Sequence, residues 1–174
     1  MSELGERAGA DGLRFVRHFS TSIERVWQAI ATPEGIAGWL GRVVTLEAVA
    51  GGAFEVALTA DTVMDGRVLE IQPPRRLAIR WHETSDGVSL PYGTQAGDTS
   101  LITFELTPDA AGGTILVFTH RHIRDGETMT SFGAGWHALL EALTALVADE
   151  PRVDVTTRYA ALKPDYDARF SSPV

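Results

Sequence analysis

Apolar residues recur along this chain with two periods, and the changes of period mark its elements. From Leu13 to Phe19 apolar and polar residues alternate, the pattern of a strand with one covered face. The period changes at STSIERVWQAI, where Ile23, Val26, Trp27 and Ile30 stand at i, i+3, i+4 and i+7, one stripe of a helix, with Thr21 and Glu24 spaced as a capping box. Thr32 followed by Pro33 repeats the start signal, so a second, shorter helix carries Ile36 toward Trp39. Trp39 itself stands in EGIAGWLG, a glycine-rich connector with little secondary structure to hold it. A side chain of that size must close over something.

From Arg42 the period is two. Val44, Leu46 and Ala48, a Gly51-Gly52 turn, then Phe54, Val56 and Leu58 predict a hairpin. Met64 to Ile71, the Pro73-Pro74 break and Arg76 to His82 predict a second, with Leu77, Ile79 and Trp81 on one face and Ala78, Arg80 and His82 on the other. TSDGVSLPYGTQAGD has loop composition over about fifteen residues, long for a compact domain, and mobility is expected at its centre. Ile102, Phe104 and Leu106, a turn at PDAAGG, and Thr114, Leu116, Phe118 and His120 predict the third hairpin. Phe132, Trp136, Leu139, Leu140, Leu143 and Val147 recur at helical spacing from Ser131 to about Asp149, with Gly133 and Gly135 early in the helix and Pro151 past its end.

Strand, two short helices, three hairpins and one long helix fit an α+β fold, an antiparallel sheet of about seven strands whose apolar face is covered by a long C-terminal helix. One helix covers so wide a sheet only if the sheet curves, and a curved sheet around a helix encloses a candidate cavity. The domain is read as residues 13–150, preceded by a disordered leader, 1–12, and followed by a tail, 151–174. Tyr159, Leu162, Tyr166 and Phe170 give that tail more apolar surface than a solvated segment shows, and Pro164-Asp165 reads as a helix start. The tail is expected to dock on the domain's outer side or on a partner subunit, which motivates a homodimer.

At 174 residues and 44% hydrophobic, the chain suffices for one domain with a real core. Its longest apolar stretch, Ala138 to Ala148, is broken by Glu141 and Thr144 and falls short of the roughly 20 residues that span a bilayer, so no membrane association is expected. The acidic, glycine-containing start does not read as a secretory signal, and the absence of cysteine fits a cytoplasmic protein and excludes thiol chemistry. A formal charge of -8 without a basic run argues against nucleic acid as a partner.

The stretches VWQAIATPEGIAGWL, AVAGGAFEV, GRVLEIQPPRRLAIRW, TFELTPDAAGGTILVFTH and GWHALLEAL together resemble the START-like superfamily, also called SRPBCC. Within it they most resemble the family named after the C-terminal domain of the activator of the ninety-kilodalton heat-shock protein ATPase. The resemblance covers about Leu13 to Glu150, and RYAALKPDYDARF is similar to the family's usual ending. It implies a helix-grip fold with an apolar cavity between long helix and sheet, one end of it closed by Trp39. The superfamily includes lipid carriers, hormone and pigment binders, polyketide cyclases and dehydratases, and co-chaperones.

Three functions stay open. The first is binding of a small, mostly apolar molecule, with Trp39, Phe54, Val56, Met64, Trp81, Phe104, Phe118, His120, Trp136 and Leu140 as lining candidates. The second, implied by the family name, is a co-chaperone of the heat-shock ATPase with a chaperone partner and a role in the stress response. The eukaryotic activator, however, carries a further N-terminal domain for which this length leaves no room. The third is an enzyme of the polyketide cyclase/dehydratase kind, a cyclase or hydrolase using His120 or His82 as general acid or base. His120 is placed at the cavity mouth, His137 at the surface or rim, and Glu105 in solvent. His120 and His122 lack evident co-ligands for zinc, so no metal and no cofactor is expected. No nucleophile elbow, phosphate loop or His-Asp-Ser order stands out, and no catalytic residue is assigned.

Overall fold

In the computed structural model, which describes residues 3–170, the alternating segments pair into one antiparallel sheet. Its path runs β1 (Glu6–Arg7), β2 (Leu13–Phe19), β10 (Thr114–Arg121), β9 (Ser100–Pro108), β6 (Arg76–Trp81), β5 (Thr62–Gln72), β4 (Ala53–Ala57) and β3 (Arg42–Leu46). A short hairpin of β7 (Glu83–Ser85) and β8 (Val88–Ser89) attaches to β5. The inward alternation is consistent across the register: Phe118 lies opposite both Phe15 and Phe104, and Phe104 opposite Leu77. These inward rows form the core with α3 (Gly126–Val147), while α1 (Ile23–Ala31) and α2 (Pro33–Ala37) close one end. The fold is an α+β helix-grip.

Ten strands replace the expected seven, the additional ones being β1, β7 and β8. The expected loop after β6 carries β7 and β8, and its remainder is tied down by backbone bonds such as Thr94 N–H to the His122 carbonyl, 2.8 Å, and Arg124 N–H to the Tyr92 carbonyl, 2.9 Å. In β3 the expected alternation breaks at a bulge between Val43 and Thr45, so Val44 turns outward, 46% exposed. The N-cap of α1 is Ser22, not Thr21, because the Ser22 hydroxyl accepts the Arg25 N–H while the Thr21 carbonyl accepts the Thr114 hydroxyl at 2.8 Å. The long helix starts five residues before Ser131, capped by Asp125, whose carboxylate accepts the Thr128 N–H at 2.8 Å.

The described part of the leader is ordered, against expectation. β1 pairs with β2, Gly5 N–H donates to the Tyr166 hydroxyl at 2.7 Å, and the Arg7 guanidinium bonds the Phe170 carbonyl at 3.0 Å over the Phe170 ring. Residues 1–2 and 171–174, the outer ends of leader and tail, lie outside the described residues. The tail forms α4 (Val155–Phe170), which begins well before Pro164 because Asp154 accepts the Thr157 N–H and hydroxyl at its start; Pro164 sits inside the helix.

α4 packs on α3, a surface not anticipated for it, and buries Leu162, Tyr166 and Phe170 within the chain. A Cβ at Gly133 would stand 2.4 Å from the Tyr166 ring, so glycine there lets the two helices meet. The apolar surface from which a twofold was inferred is thus covered intramolecularly. Urea denaturation is expected to show Leu162→Ala less stable by about 2–5 kcal/mol and Gly133→Ala by about 1–3 kcal/mol. A wild-type midpoint in both would mean that α4 is not docked.

Candidate functional site

Of the ten residues singled out as cavity lining, nine belong to one buried hydrophobic cluster, and the tenth, His120, is buried against its rings. Their rings meet in a continuous chain: Trp39 packs edge-on to Phe104 at 6.2 Å, Phe104 on Phe118 at 5.0 Å, Phe118 on Trp136 at 4.4 Å and Trp136 on Trp81 at 5.1 Å. Phe54, Val56, Met64 and Leu140 are buried in the same cluster. Trp39 is held by its indole N–H, which donates to the Ala29 carbonyl at the end of α1, 3.0 Å away. The connector tryptophan therefore closes over Phe104 and the corner formed by the short helices.

His120 lies inside this chain, not at a mouth, and is completely buried. Its Nδ1 accepts the Trp136 indole N–H at 2.9 Å. The proton must then sit on Nε2, which is 2.7 Å from the Ser100 hydroxyl. Burial drives its pKa down to about 3, with His122 adding a small push in the same direction. Buried, neutral and bonded at both nitrogens, the ring turns neither a lone pair nor an N–H toward open space.

The other sequence candidates separate. His122 lies beyond the end of β10, in the left-handed region at φ 65°, with Nδ1 3.2 Å from Asp11, so it shares no face with His120. No metal-holding cluster of His, Asp and Glu forms among the described residues. Glu105 faces outward and pairs with Arg76. His82 also faces outward, away from the helix, beside Asp65 and Ser89. His137, expected at the surface, is buried: its Nδ1 is 2.9 Å from the Tyr166 hydroxyl and its Nε2 is 3.2 Å from Glu141, which Arg158 grips in bidentate fashion. Burial lowers the His137 pKa to about 4, helped by the positive charge of Arg17.

The ring chain ends at a cleft of about 460 Å³, framed by Glu83, Tyr92, Phe132, Arg124 and Tyr159 near the start of α3. Phe132, half-buried, packs at a tilt on His120 at 4.4 Å and meets Tyr92 in a T-shaped contact at 5.5 Å, so it stands between the sealed interior and the cleft. Glu83 continues the inward face after Trp81, and the Trp81 indole N–H donates to its Oε1 at 2.7 Å. Among the described residues Glu83 forms no ion pair, and burial pushes its pKa up, opposed by the Trp81 bond and by His82. Arg124 is engaged with Asp98 at 2.5 Å. A larger cleft of about 660 Å³, between β2 and the C-terminal half of α3, is rimmed by Glu3, Glu141 and Glu150 and does not open on the ring chain.

The sequence reading passed over Glu83 and Tyr92 as site residues. The signal was the parity of Ile79, Trp81 and Glu83: the two-residue period that aims Trp81 inward carries on past the end of β6.

The family described as activator of Hsp90 ATPase homolog 1-like protein matches residues 20–148. The chain belongs to this family. A protein from Bordetella parapertussis, solved by solution NMR, is 30% identical with a TM-score of 0.73, over 97% of this chain and 91% of its own. CalU16 from Micromonospora echinospora is 21% identical with a TM-score of 0.69, over 97% of this chain and 95% of its own. DynU16, a protein in the dynemicin biosynthetic locus, is 22% identical with a TM-score of 0.68 over 83% of this chain, which spans 50% of DynU16. At those identities the last two show a shared fold. Among curated proteins none matches. No helix of the described residues is long and apolar enough to cross a membrane.

Both buried histidines are neutral in the fold and take up a proton on unfolding once the pH drops below the ordinary value near 6.5. The unfolded chain then binds more protons, so their contribution is complete above that pH and is lost as the pH falls toward 4. His120 contributes a slope of about 1.4 kcal/mol per pH unit in this window, and His137 acts in the same direction. Urea titrations between about pH 6 and about pH 4 should show the slope reduced by that amount in His120→Gln. An unchanged slope would mean that His120 is not buried in neutral form.

Proposed function

We propose that the protein binds a small, mostly apolar molecule at the end of the helix–sheet interior, in the cleft framed by Glu83, Tyr92, Phe132 and Tyr159. The observation that carries this reading is the position of Phe132: its ring packs at a tilt on His120 of the sealed ring chain and meets Tyr92 in a T-shaped contact across the cleft. A volume of about 460 Å³ falls within the range of small-molecule sites, in which apolar walls supply affinity and a few polar atoms supply orientation. Glu83 and Tyr92 are those polar groups. The Tyr92 hydroxyl donates to an acceptor on the ligand, and the Glu83 carboxyl, whose pKa burial pushes up against the Trp81 bond, presents its other oxygen to the same space. The predicted lining residues deeper inside, Trp81, Phe118, His120 and Trp136, form the packed wall behind Phe132 and keep it in place. A helix-grip fold is in general a ligand-binding fold, which supports the same reading.

N-phenyl-1-naphthylamine, a neutral apolar dye, tests this directly. Saturable enhancement of its emission is expected with the wild type. Loss of the aromatic contact in Phe132→Ala should weaken binding by about 1 kcal/mol, or about fivefold. Absence of saturable binding, or binding unaltered in Phe132→Ala, would overturn the assignment of the cleft.

A further inference from the structure

The outer face of the sheet carries a second constellation. Asp65 on β5 lies across from His82, the residue between β6 and β7, and the Asp65 N–H bonds the His82 carbonyl at 3.0 Å. The Asp65 carboxylate Oδ1 is 2.8 Å from His82 Nδ1, and His82 Nε2 is 2.8 Å from the Ser89 hydroxyl oxygen. A carboxylate only accepts, so Nδ1 carries the proton and Nε2 keeps its lone pair toward Ser89. Ser89 is brought there by the β7–β8 hairpin, whose turn residues Asp86 and Gly87 both have positive φ, 51° and 75°, and whose register sets Ser89 opposite Thr84.

We propose that Ser89, His82 and Asp65 form an acyl-transfer site that hydrolyses short-chain esters, with Ser89 as nucleophile, His82 as general base and acid, and Asp65 as the residue that orients His82. The distances match the logic of such a triad, in which the base touches the nucleophile and a third group fixes the tautomer of the base. Ser89 is exposed, so a small ester reaches it without a conformational change.

A donor for the developing oxyanion is present as well. The Leu90 N–H bonds the Glu83 carbonyl at 2.9 Å, which makes Glu83 and Leu90 a hydrogen-bonded pair and Thr84 and Ser89 a non-hydrogen-bonded one. The Ser89 N–H therefore points away from β7, toward the side of β8 where no further strand pairs. Asp98 stands 3.4 Å from the Ser89 hydroxyl, farther than His82, and its other oxygen is held by Arg124 at 2.5 Å.

In the reaction Ser89 Oγ adds to the ester carbonyl while its proton passes to His82 Nε2. The tetrahedral adduct collapses, the bond to the alkoxy oxygen breaks, and the leaving alcohol takes that proton. Water then adds to the acyl-serine, giving a proton to His82, and Ser89 Oγ departs and recovers it. One ester and one water become one acid and one alcohol.

The site is tested with an alkyl fluorophosphonate and with p-nitrophenyl acetate on the full chain. The fluorophosphonate is expected to form a stable adduct that peptide mass spectrometry maps to Ser89, and Ser89→Ala should remove it. His82→Gln should slow both labelling and ester turnover about a hundredfold or more. Asp65→Asn should lower kcat with KM unchanged, and Asp65→Glu should restore part of it, a pattern that a purely structural role for Asp65 would not give. Thermal melts of each variant separate these effects from unfolding. No adduct at Ser89 in the folded wild type, or an adduct forming equally fast in folded His82→Gln, would overturn the proposal. Neither result bears on dye binding in the Phe132 cleft, so the two sites stand or fall separately.

Discussion

Trp136 carries an indole N–H into the contact between the long helix and the sheet, where it is buried, and that N–H must find an acceptor. His120 supplies it and passes its own N–H to Ser100, so one buried relay joins α3, β10 and β9. Leaving such a donor unpaired costs about 1–3 kcal/mol. The relay also fixes the rotation of α3 on the sheet, and with it the packing of Phe118, Trp81 and Phe132 around the Trp136 and His120 rings. The site follows from this packing: because rings meet continuously from Trp39 to Trp81, the open space lies at the end of the chain and not along its length.

A second buried relay fastens the ends of the chain. The Tyr166 hydroxyl accepts the Gly5 N–H and stands within hydrogen-bond distance of His137, which contacts Glu141, itself gripped by Arg158. Leader, long helix and tail are thereby joined through one tyrosine hydroxyl. Both ends belong to the same core as the sheet, which is why segments that look peripheral in sequence are ordered here.

Three consecutive residues divide the chemistry between the two faces of the sheet. Trp81 and Glu83 face the helix side, Trp81 in the packed core and Glu83 at the cleft, while His82 faces outward between Asp65 and Ser89. The alternation of a strand makes this division automatic. It also keeps apart a half-buried carboxyl at the cleft and a histidine that keeps contact with an exposed hydroxyl.

What the sequence determined by itself was the order of the seven longer strands and of the helices among them, and their inward faces. Residues such as Leu77, Ile79 and Trp81, or Trp136, Leu140 and Leu143, reveal their side through local period alone, and with the family resemblance that sufficed for the helix-grip fold. Local period carries no information about what lies across from a residue. Only the tertiary structure decided that His120 is sealed between Trp136 and Ser100, that His137 is buried beneath α4, that the tail covers α3, and that a bulge turns Val44 outward. Asp65, His82 and Ser89, separated along the chain by a full strand and a hairpin, become neighbours only through register, which is set by pairing across the whole sheet and by the twist of one short turn.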